Sequence, residues 1–315
     1  MRRQKIDWPA AGPGETEKLK DELVDVWEAS VRGSHHFLTE NDIRFFRPLV
    51  RDRYLQAVEL HVVRNERNRI AAFMGLSDSL VEMLFVHPGE QGKGYGTSLI
   101  DFAVHGRRVF KVDVNERNEK AASFYLNRGF VVTGRDETDS SGMPFPILHL
   151  SLPEVTWSVS GDSIEIRQVI LDKSRFLDLL LLADEQESMI DRYLERGEMF
   201  ALYDRGRLRS ICVVTHEDEG TVELKNIATV PQCRRQGYGT MLLRFISGHY
   251  SGEEDTLLVG TGDSPLTVPF YERNGFSYSH RVPDFFIDNY DHPIYEAGKR
   301  LADMVYLRKN LTEFI

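Results

Sequence analysis

The sequence predicts a mixed α/β fold, α+β in character with one mixed sheet, present twice in the same chain, and three observations carry that prediction. Apolar segments of strand length alternate with amphipathic segments of helix length. A glycine-rich turn, Gln91 to Gly96, joins an apolar strand to a helix. The arrangement then returns: LFVHPGEQGKGYGTSLI at 84–100 answers IATVPQCRRQGYGTMLL at 227–243 without a gap, and SFYLNRGF at 123–130 answers PFYERNGF at 269–276. Gly94 and Gly237 lie 143 positions apart, and Tyr125 and Tyr271 lie 146 apart. An offset of that size is a domain length, far beyond a solenoid period.

In the first copy, helices are expected over Glu15 to Arg32 and from Glu40 to about Ala57. An antiparallel front follows, with strands AVELHVVRN, RIAAFMGLS and VEMLFV, rich in β-branched and aromatic residues. The glycine turn opens a helix through Ala103, which crosses to the strand RVFKVDV. A helix ending at Gly129 and the hairpin of FVVTGRD with FPILHLSL close the copy. The stretch SLPEVTWSVSGDS at 151–163 carries Pro, Gly and Ser and reads as a seam, which places one domain at 1–155 and the other at 160–315. Beyond it come IEIRQVI, ALYDR, RSICVVTHE and TVELKNIA as strands, a helix from Gly239, the strand TLLVG, a short helix to Gly275 and a last strand DMVYLRK.

Composition narrows the function classes. The chain has 315 residues, 41% of them hydrophobic, enough to fill two cores. Lys plus Arg number 39 against 49 for Asp plus Glu, a formal charge of -10. Nucleic acid is therefore not an expected partner; cationic small molecules or basic peptide termini suit the acidic surface, which also simply serves solubility. No window has the length and apolarity of a membrane span and no leader pattern opens the chain, so a cytoplasmic protein without a membrane partner is expected. Cys212 and Cys233 are too few for a disulfide framework and lack metal-ligand spacing, so no metal is expected. Nothing in the pattern sets an oligomeric state.

Bare glycine backbone at a helix start is a phosphate-binding arrangement. A dinucleotide fingerprint asks for G-x-G-x-x-G within parallel βαβ units, and Gly92, Gly94 and Gly96 give G-x-G-x-G after a meander. A nucleotide P-loop asks for Lys and then Ser or Thr after the last glycine, and these are absent. Q-x-x-G-x-G at Gln91 to Gly96 and R-x-x-G-x-G at Arg234 to Gly239, each after an apolar strand, resemble the acetyl-coenzyme A signature of the GNAT N-acetyltransferase superfamily. The resemblance covers both halves, and the later FY…GF segments fall in place with it. GSHHFL and GMPFPIL make the first half similar to small bacterial acetyltransferases; FFIDNYDHPIYE and DMVYLRK make the second similar to another bacterial subgroup.

The resemblance implies two tandem GNAT acyl-CoA N-acyltransferase folds, in which strand four parts from strand five and the pantetheine arm of acetyl-CoA enters the gap as an added strand would. It assigns the main chain of Leu84, Phe85 and Val86, and of Ile227, Ala228 and Thr229, to that arm. The pyrophosphate falls to N–H groups of Gln91, Gly92, Lys93, Gly94, Tyr95, Gly96 and Thr97, and of Arg234, Arg235, Gln236, Gly237, Tyr238, Gly239 and Thr240. Asn115 matches an asparagine that contacts the pantetheine amide in relatives; Asn118 follows it and also stands where it caps the next helix. Thr261 and Ser264 hold these places in the second copy. A turn that only permits tight helix packing is the alternative for either copy.

The chemistry so implied is direct attack of an amine on the thioester. Tyr125 and Tyr271 stand where relatives carry the acid that protonates the leaving thiolate, and a phenol remains protonated at neutral pH; the alternative is a tyrosine that anchors its helix. Glu82 and Glu223 are candidates for the general base, reaching the amine through water. His35 and His36, between two helices, border the expected acceptor groove as substrate contacts, and His149 is a further candidate. Asp284, Asp288, Asp291 and His292 form a polar cluster in a long loop that shapes a pocket or packs as a lid. Cys233 is incidental. The function expected is N-acetyl transfer from acetyl-CoA to a primary amine of a small molecule or peptide. The alternatives are one half, more readily the second, that binds acetyl-CoA as a sensor or scaffold, and an interaction module whose turns have lost their ligand.

Overall fold

In the computed structural model, which describes residues 3–6, 13–77, 79–160 and 163–312, each half of the chain builds its own sheet. The halves separate between Pro153 and Glu154. The first contains β1 (Arg3–Lys5), α1 (Pro13–Ser34), α2 (Glu40–Asp52), β2 (Glu59–Arg64), β3 (Ile70–Leu76), β4 (Leu80–Val86), α3 (Tyr95–Arg107), β5 (Lys111–Asn115), α4 (Glu119–Leu126), β6 (Val131–Asp136) and β7 (Ile147–Ser151). The strand order is β1-β2-β3-β4-β5-β7-β6. Among the described residues of this sheet only β4 and β5 pair in parallel, across the α3 crossover.

The local reasons are readable. In α1, Leu23, Val26, Trp27 and Val31 recur at helical spacing and are buried against β2 and β3. Thr39 starts α2 with a capping box: its hydroxyl accepts from Asp42 N–H at 3.2 Å and Asp42 returns the bond to Thr39 N–H at 2.8 Å. That helix ends at Asp52, short of Ala57, because Arg53 (φ -125°, ψ -59°) leaves helical geometry and a 3₁₀ turn over Tyr54–Gln56 carries Leu55 into the core.

The second half contains β8 (Glu154–Ser160), β9 (Ile164–Val169), α5 (Leu177–Leu180), α6 (Glu187–Leu194), β10 (Glu198–Asp204), β11 (Arg207–Asp218), β12 (Thr221–Thr229), α7 (Tyr238–Tyr250), β13 (Thr256–Gly262), α8 (Val268–Arg273), β14 (Ser277–Val282), α9 (Phe285–Asn289), β15 (Tyr295–Glu296), β16 (Lys299–Arg300) and β17 (Met304–Asn310). The main sheet runs β14-β17-β13-β12-β11-β10-β9-β8, and β15 pairs with β16 alone. The stretch read as a seam is largely β8: Val155 and Trp157 pair with Gln168 and Ile166 of β9, and Val155 is buried. Its alternating Val155-Thr156-Trp157 pattern outweighs Pro153.

The mixed α/β fold in two copies is therefore borne out, with each sheet covered on both faces. In the second half α7 packs Leu242, Leu243 and Ile246 on one face, while α5 and α6 pack Leu180, Ile190 and Tyr193 on the other. Truncating any one of these fully buried leucines to alanine costs about 2–5 kcal/mol.

Candidate functional site

Each sheet forks at the same place. β4 and β5 pair only through Leu80–Lys111 and Val81–Val112, so from Glu82 onward β4 has no partner on its β5 side among the described residues. In the second half the pairing of β12 with β13 covers Thr221–Leu224 and stops, leaving Lys225 to Thr229 open. Which peptide groups face the gap follows from the two-residue period of a strand. His87 N–H donates to Ala71 O, and Val230 N–H donates to Arg209 O, each at 2.9 Å. The main chain of Leu84, Val86, Ile227 and Thr229 therefore faces the gap. Phe85 and Ala228, expected to offer main chain to a ligand, are corrected: alternation turns their peptide groups into the ladder with β3 and β11.

A β-bulge marks both forks. The β3–β4 register passes from Gly75↔Met83 to Leu76↔Val81, skipping Glu82, and the β11–β12 register passes from Val213↔Asn226 to Val214↔Leu224, skipping Lys225. Glu82 and Lys225 are thus equivalent positions, and Glu223 takes the place of Leu80. Glu82 is exposed and accepts from Ser77 Oγ at 3.0 Å. Glu223 is 8% exposed and lies 2.9 Å from Lys225 Nζ. Beside it Tyr306 has its pKa pushed up to about 12, by burial first and then by Glu223.

Above each fork the glycine turn opens a helix. Gly94 (φ 84°) and Gly237 (φ 89°) are the N-caps of α3 and α7, in the left-handed region that glycine occupies without strain. The first bonds onto these caps come from Ser98 N–H and Met241 N–H. The N–H groups of Gly92 to Thr97 and of Arg235 to Thr240 have no partner among the described residues. Gln91 and Arg234 are corrected, since their N–H groups donate to Pro88 O and Pro231 O at 3.3 Å, closing the preceding turns. Arg235 adopts φ 62° where Gly92 has φ 79°, so the turn's conformation does not require glycine at its first position.

Side chains around the turns differ. Lys93 is held by Glu90 at 2.9 Å, and Arg128 donates to Thr97 Oγ1 while its guanidinium lies 3.8 Å from the Phe124 ring centroid. In the second half Gln236 is turned to Gln232 O, and Tyr238 OH donates to Asp204 at 2.8 Å. Arg234, Arg235, Arg244 and Arg273 line the cleft there without an ion-pair partner among the described residues. These cations add to the positive end of α7.

Tyr125 and Tyr271 are 5% and 6% exposed, wedged between Phe124 and Phe130 and between Phe270 and Phe276. Burial raises both phenol pKa values, so both hold their protons through the neutral range. Tyr271 lines the cleft.

Asn118 and Ser264 each bond the main chain of their own segment. Asn118 Oδ1 accepts from Ala121 N–H at 3.2 Å at the start of α4, and its Nδ2 donates to His35 Nε2 at 3.4 Å. Ser264 Oγ accepts from Leu266 N–H at 3.1 Å. Asn115 Oδ1 accepts from Arg117 N–H at 2.9 Å. The forks align Val112 with Val259, which puts Gly262 rather than Thr261 in the place of Asn115; Thr261 pairs with Val305 and stands in the place of Val114. The same register sets Asp113 and His149 of the first half against Gly260 and Tyr306 of the second.

Of the histidines, His35 is held at a pKa of about 4, by burial first and then by His36, and its Nδ1 bonds Ser34 Oγ at 2.8 Å. His36 is exposed. His149 bridges Asp113 at 2.7 Å and Asp136 at 3.1 Å, and these bonds raise its pKa, Asp113 foremost.

The second half encloses a cleft of about 1300 Å³ that runs from the turn to the splayed strands and on to α6 and α9. The long loop does shape it, through Phe285, Phe286, Tyr290 and Ile294. Asp284, Asp288, Asp291 and His292 lie outside the lining, with Asp284 N–H bonded to Asp303 and His292 bonded to Asp291. Sequence reasoning missed Asp184, Tyr193, Asn226 and Tyr290. Asp184 and Tyr290 are 106 positions apart, and no local pattern joins them.

A forked sheet beneath a helix with uncommitted first N–H groups defines a class of proteins that grip an acyl carrier by main chain. The model of the acetyltransferase (GNAT) domain matches residues 56–132 and 195–278, and the chain belongs to that family, as an acyltransferase carrying the domain twice. Among its relatives, the peptidyl-lysine N-acetyltransferase YjaB of Escherichia coli is 39% identical over 131 residues, 42% of this chain and 88% of that one. The uncharacterized N-acetyltransferase YvbK of Bacillus subtilis is 36% identical over 136 residues, with 42% and 88% covered. A solved GNAT acetyltransferase of Elizabethkingia anophelis with acetyl-CoA bound is 32% identical, covers 47% of this chain and 99% of its own, and has a TM-score of 0.45. Among the described residues no helix is long and apolar enough to cross a membrane.

Proposed function

We propose that both halves bind acetyl-CoA as co-substrate and transfer its acetyl group to a primary amine, of a peptide lysine or a small molecule, in the cytoplasm. The observation that supports this reading is the coincidence, twice, of an open strand edge with an uncommitted helix N-terminus directly above it. The diphosphate is a doubly charged anion, and six unpaired N–H groups at a helix start suit it. The peptide groups of Leu84, Val86, Ile227 and Thr229 pair with the amides of the pantetheine arm. At the fork the amine nitrogen attacks the thioester carbonyl; an amide bond forms, the C–S bond breaks, and Tyr125 or Tyr271 delivers its proton to the sulfur. The proton lost by the amine passes through water to Glu82 in the first half and to Glu223 in the second. His35, neutral and hydrogen-bonded, orders the acceptor side of the first half.

Calorimetric titration of the full chain with coenzyme A tests the reading: two sites are expected, and thiol release is expected on adding acetyl-CoA with a lysine peptide or a small amine. Absence of any coenzyme A binding overturns it. A second reading has one specific observation behind it: Lys225 engages Glu223, which disables the base and leaves the second half a binder of acetyl-CoA without turnover. A Tyr125→Phe chain that still binds two equivalents yet transfers nothing to any amine favours that reading.

A further inference from the structure

Four residues meet on the acceptor side of the second cleft: Asp184 after α5, Tyr193 on α6, Asn226 on β12 and Tyr290 after α9. All four line the same space. Asp184 Oδ1 accepts from Tyr290 OH at 3.0 Å and its Oδ2 accepts from Tyr193 OH at 3.4 Å. Tyr193 OH in turn accepts from Asn226 Nδ2 at 3.0 Å, and the same Nδ2 donates to Leu180 O at 3.1 Å. Asn226 is 4% exposed, and its Oδ1 has no partner among the described residues. A buried amide oxygen without a donor costs about 1–3 kcal/mol unless something fills it. The carboxylate, too, keeps unused lone pairs, and burial raises its pKa against the pull of the tyrosines.

What the Asn226 oxygen lacks is a donor, and what the carboxylate lacks is a cation within ion-pair distance among the described residues. The cations that line this space bond elsewhere among the described residues: Arg192 donates to Asn289 at 3.2 Å and acts on Asp184 and Tyr290 through space, Arg196 donates to Glu217 at 2.7 Å, and Lys225 lies 2.9 Å from Glu223. A ligand ammonium supplies N–H donors and charge together, and the rings of Tyr193, Tyr290 and Phe286 line the same space. Asn226 directly follows the bulge at the fork, and the chain of hydrogen bonds leads from it outward to Asp184. One amine at the fork and a second cationic centre farther out therefore fit the same molecule.

We propose that the second half selects acceptors carrying two ammonium groups, one presented to the thioester at the fork and the other held between Asp184 and the Asn226 side-chain oxygen. This rests on the acetyl-transfer reading given above and names its substrate class. The second half would then act on linear diamines, or on a lysine whose α-amino group is free, in preference to a monoamine of the same length.

The test uses the full chain carrying Tyr125→Phe, so that turnover reports the second half, with coenzyme A binding measured on every variant as evidence of an intact fold. 1,5-Diaminopentane and pentylamine serve as acceptors. The diamine is expected to show at least a tenfold higher kcat/KM, and Asp184→Asn is expected to abolish that advantage by raising KM for the diamine, with kcat and the pentylamine values little changed. Tyr290→Phe, which keeps the ring and removes one donor to Asp184, is expected to give a smaller change in the same direction. If coenzyme A binds and pentylamine is acetylated but the diamine has no advantage, or Asp184→Asn leaves the advantage intact, the ammonium site is wrong and acetyl transfer stands. If a monoamine bearing a distal carboxylate is preferred, Arg192 reads the acceptor and the proposal is overturned. If coenzyme A fails to bind, the acetyl-transfer reading itself falls.

Discussion

The two forks share a backbone and differ in what they present. In both, a bulge releases the strand and the main chain beyond it faces an empty edge. At the bulge the first half places an exposed carboxylate, Glu82, and across the sheet a relay of Asp113, His149 and Asp136. The second half places Lys225 locked to Glu223, and replaces the Asp–His pair with Gly260 and Tyr306. A Cβ at Gly260 would sit 2.6 Å from Met304 Sδ, so a side chain there requires the methionine to shift. The two forks thus present the same main chain and different side chains.

The largest expected effect tests what the halves have in common. Gly94→Val and Gly237→Val each place a β-branched residue at positive φ on the turn; each is expected to remove one of two coenzyme A equivalents, read as calorimetric stoichiometry falling from two to one. If either leaves the stoichiometry at two, the turns are not the phosphate sites.

Next comes the leaving-group acid. Tyr125→Phe and Tyr271→Phe are expected to lower the turnover of their own half by about 10²-fold or more, with coenzyme A affinity unchanged. Equal turnover by the phenylalanine variants would reduce both tyrosines to core residues.

A subtler probe separates the halves. Lys225→Met frees Glu223, and turnover by the second half is expected to rise several-fold, measured in a chain already carrying Tyr125→Phe. A fall would show that Lys225 itself assists the reaction.

The smallest effect is on stability against pH. His35 titrates near 4 in the folded protein and at its ordinary, higher value when unfolded, so its contribution is present above the unfolded value and lost as pH falls through the folded one. At most about 3 kcal/mol is at stake, and His35→Gln is expected to flatten the acid limb of the melting curve. His149 has the opposite sign: its raised pKa contributes below the unfolded value and is lost as pH rises through the folded value. His149→Gln is expected to lower the melting temperature slightly in mild acid and not at alkaline pH. Tyr306 in the equivalent position predicts no such change in the second half.

Much of this was legible in the sequence because it is local. The gapless return of the glycine turn, the strand patterns flanking it and the tyrosine ahead of Gly-Phe each lie within a single short window. What was not legible depends on register or on distance. The looping-out of Glu82 and Lys225 cannot be seen by counting along the chain; nor can the register that matches Asn115 to Gly262 rather than Thr261, or the alternation that turns Phe85 away from the gap. Asn118 is buried in a cap, a role its letter shares with ligand binding. Asp184 meets Tyr290 only because α9 folds back toward α5 and α6, which no motif announces. Trp157 sat in a stretch whose Pro and Gly suggested a connector.

The bulge has a consequence for how such a protein can diverge. Because one looped-out residue occupies the fork while its neighbours keep the ligand's track in phase, that residue can change from acid to base without disturbing the track. Duplication of the half would then leave each descendant a tunable position beside the reacting bond, and a single codon there suffices to give the twins different appetites.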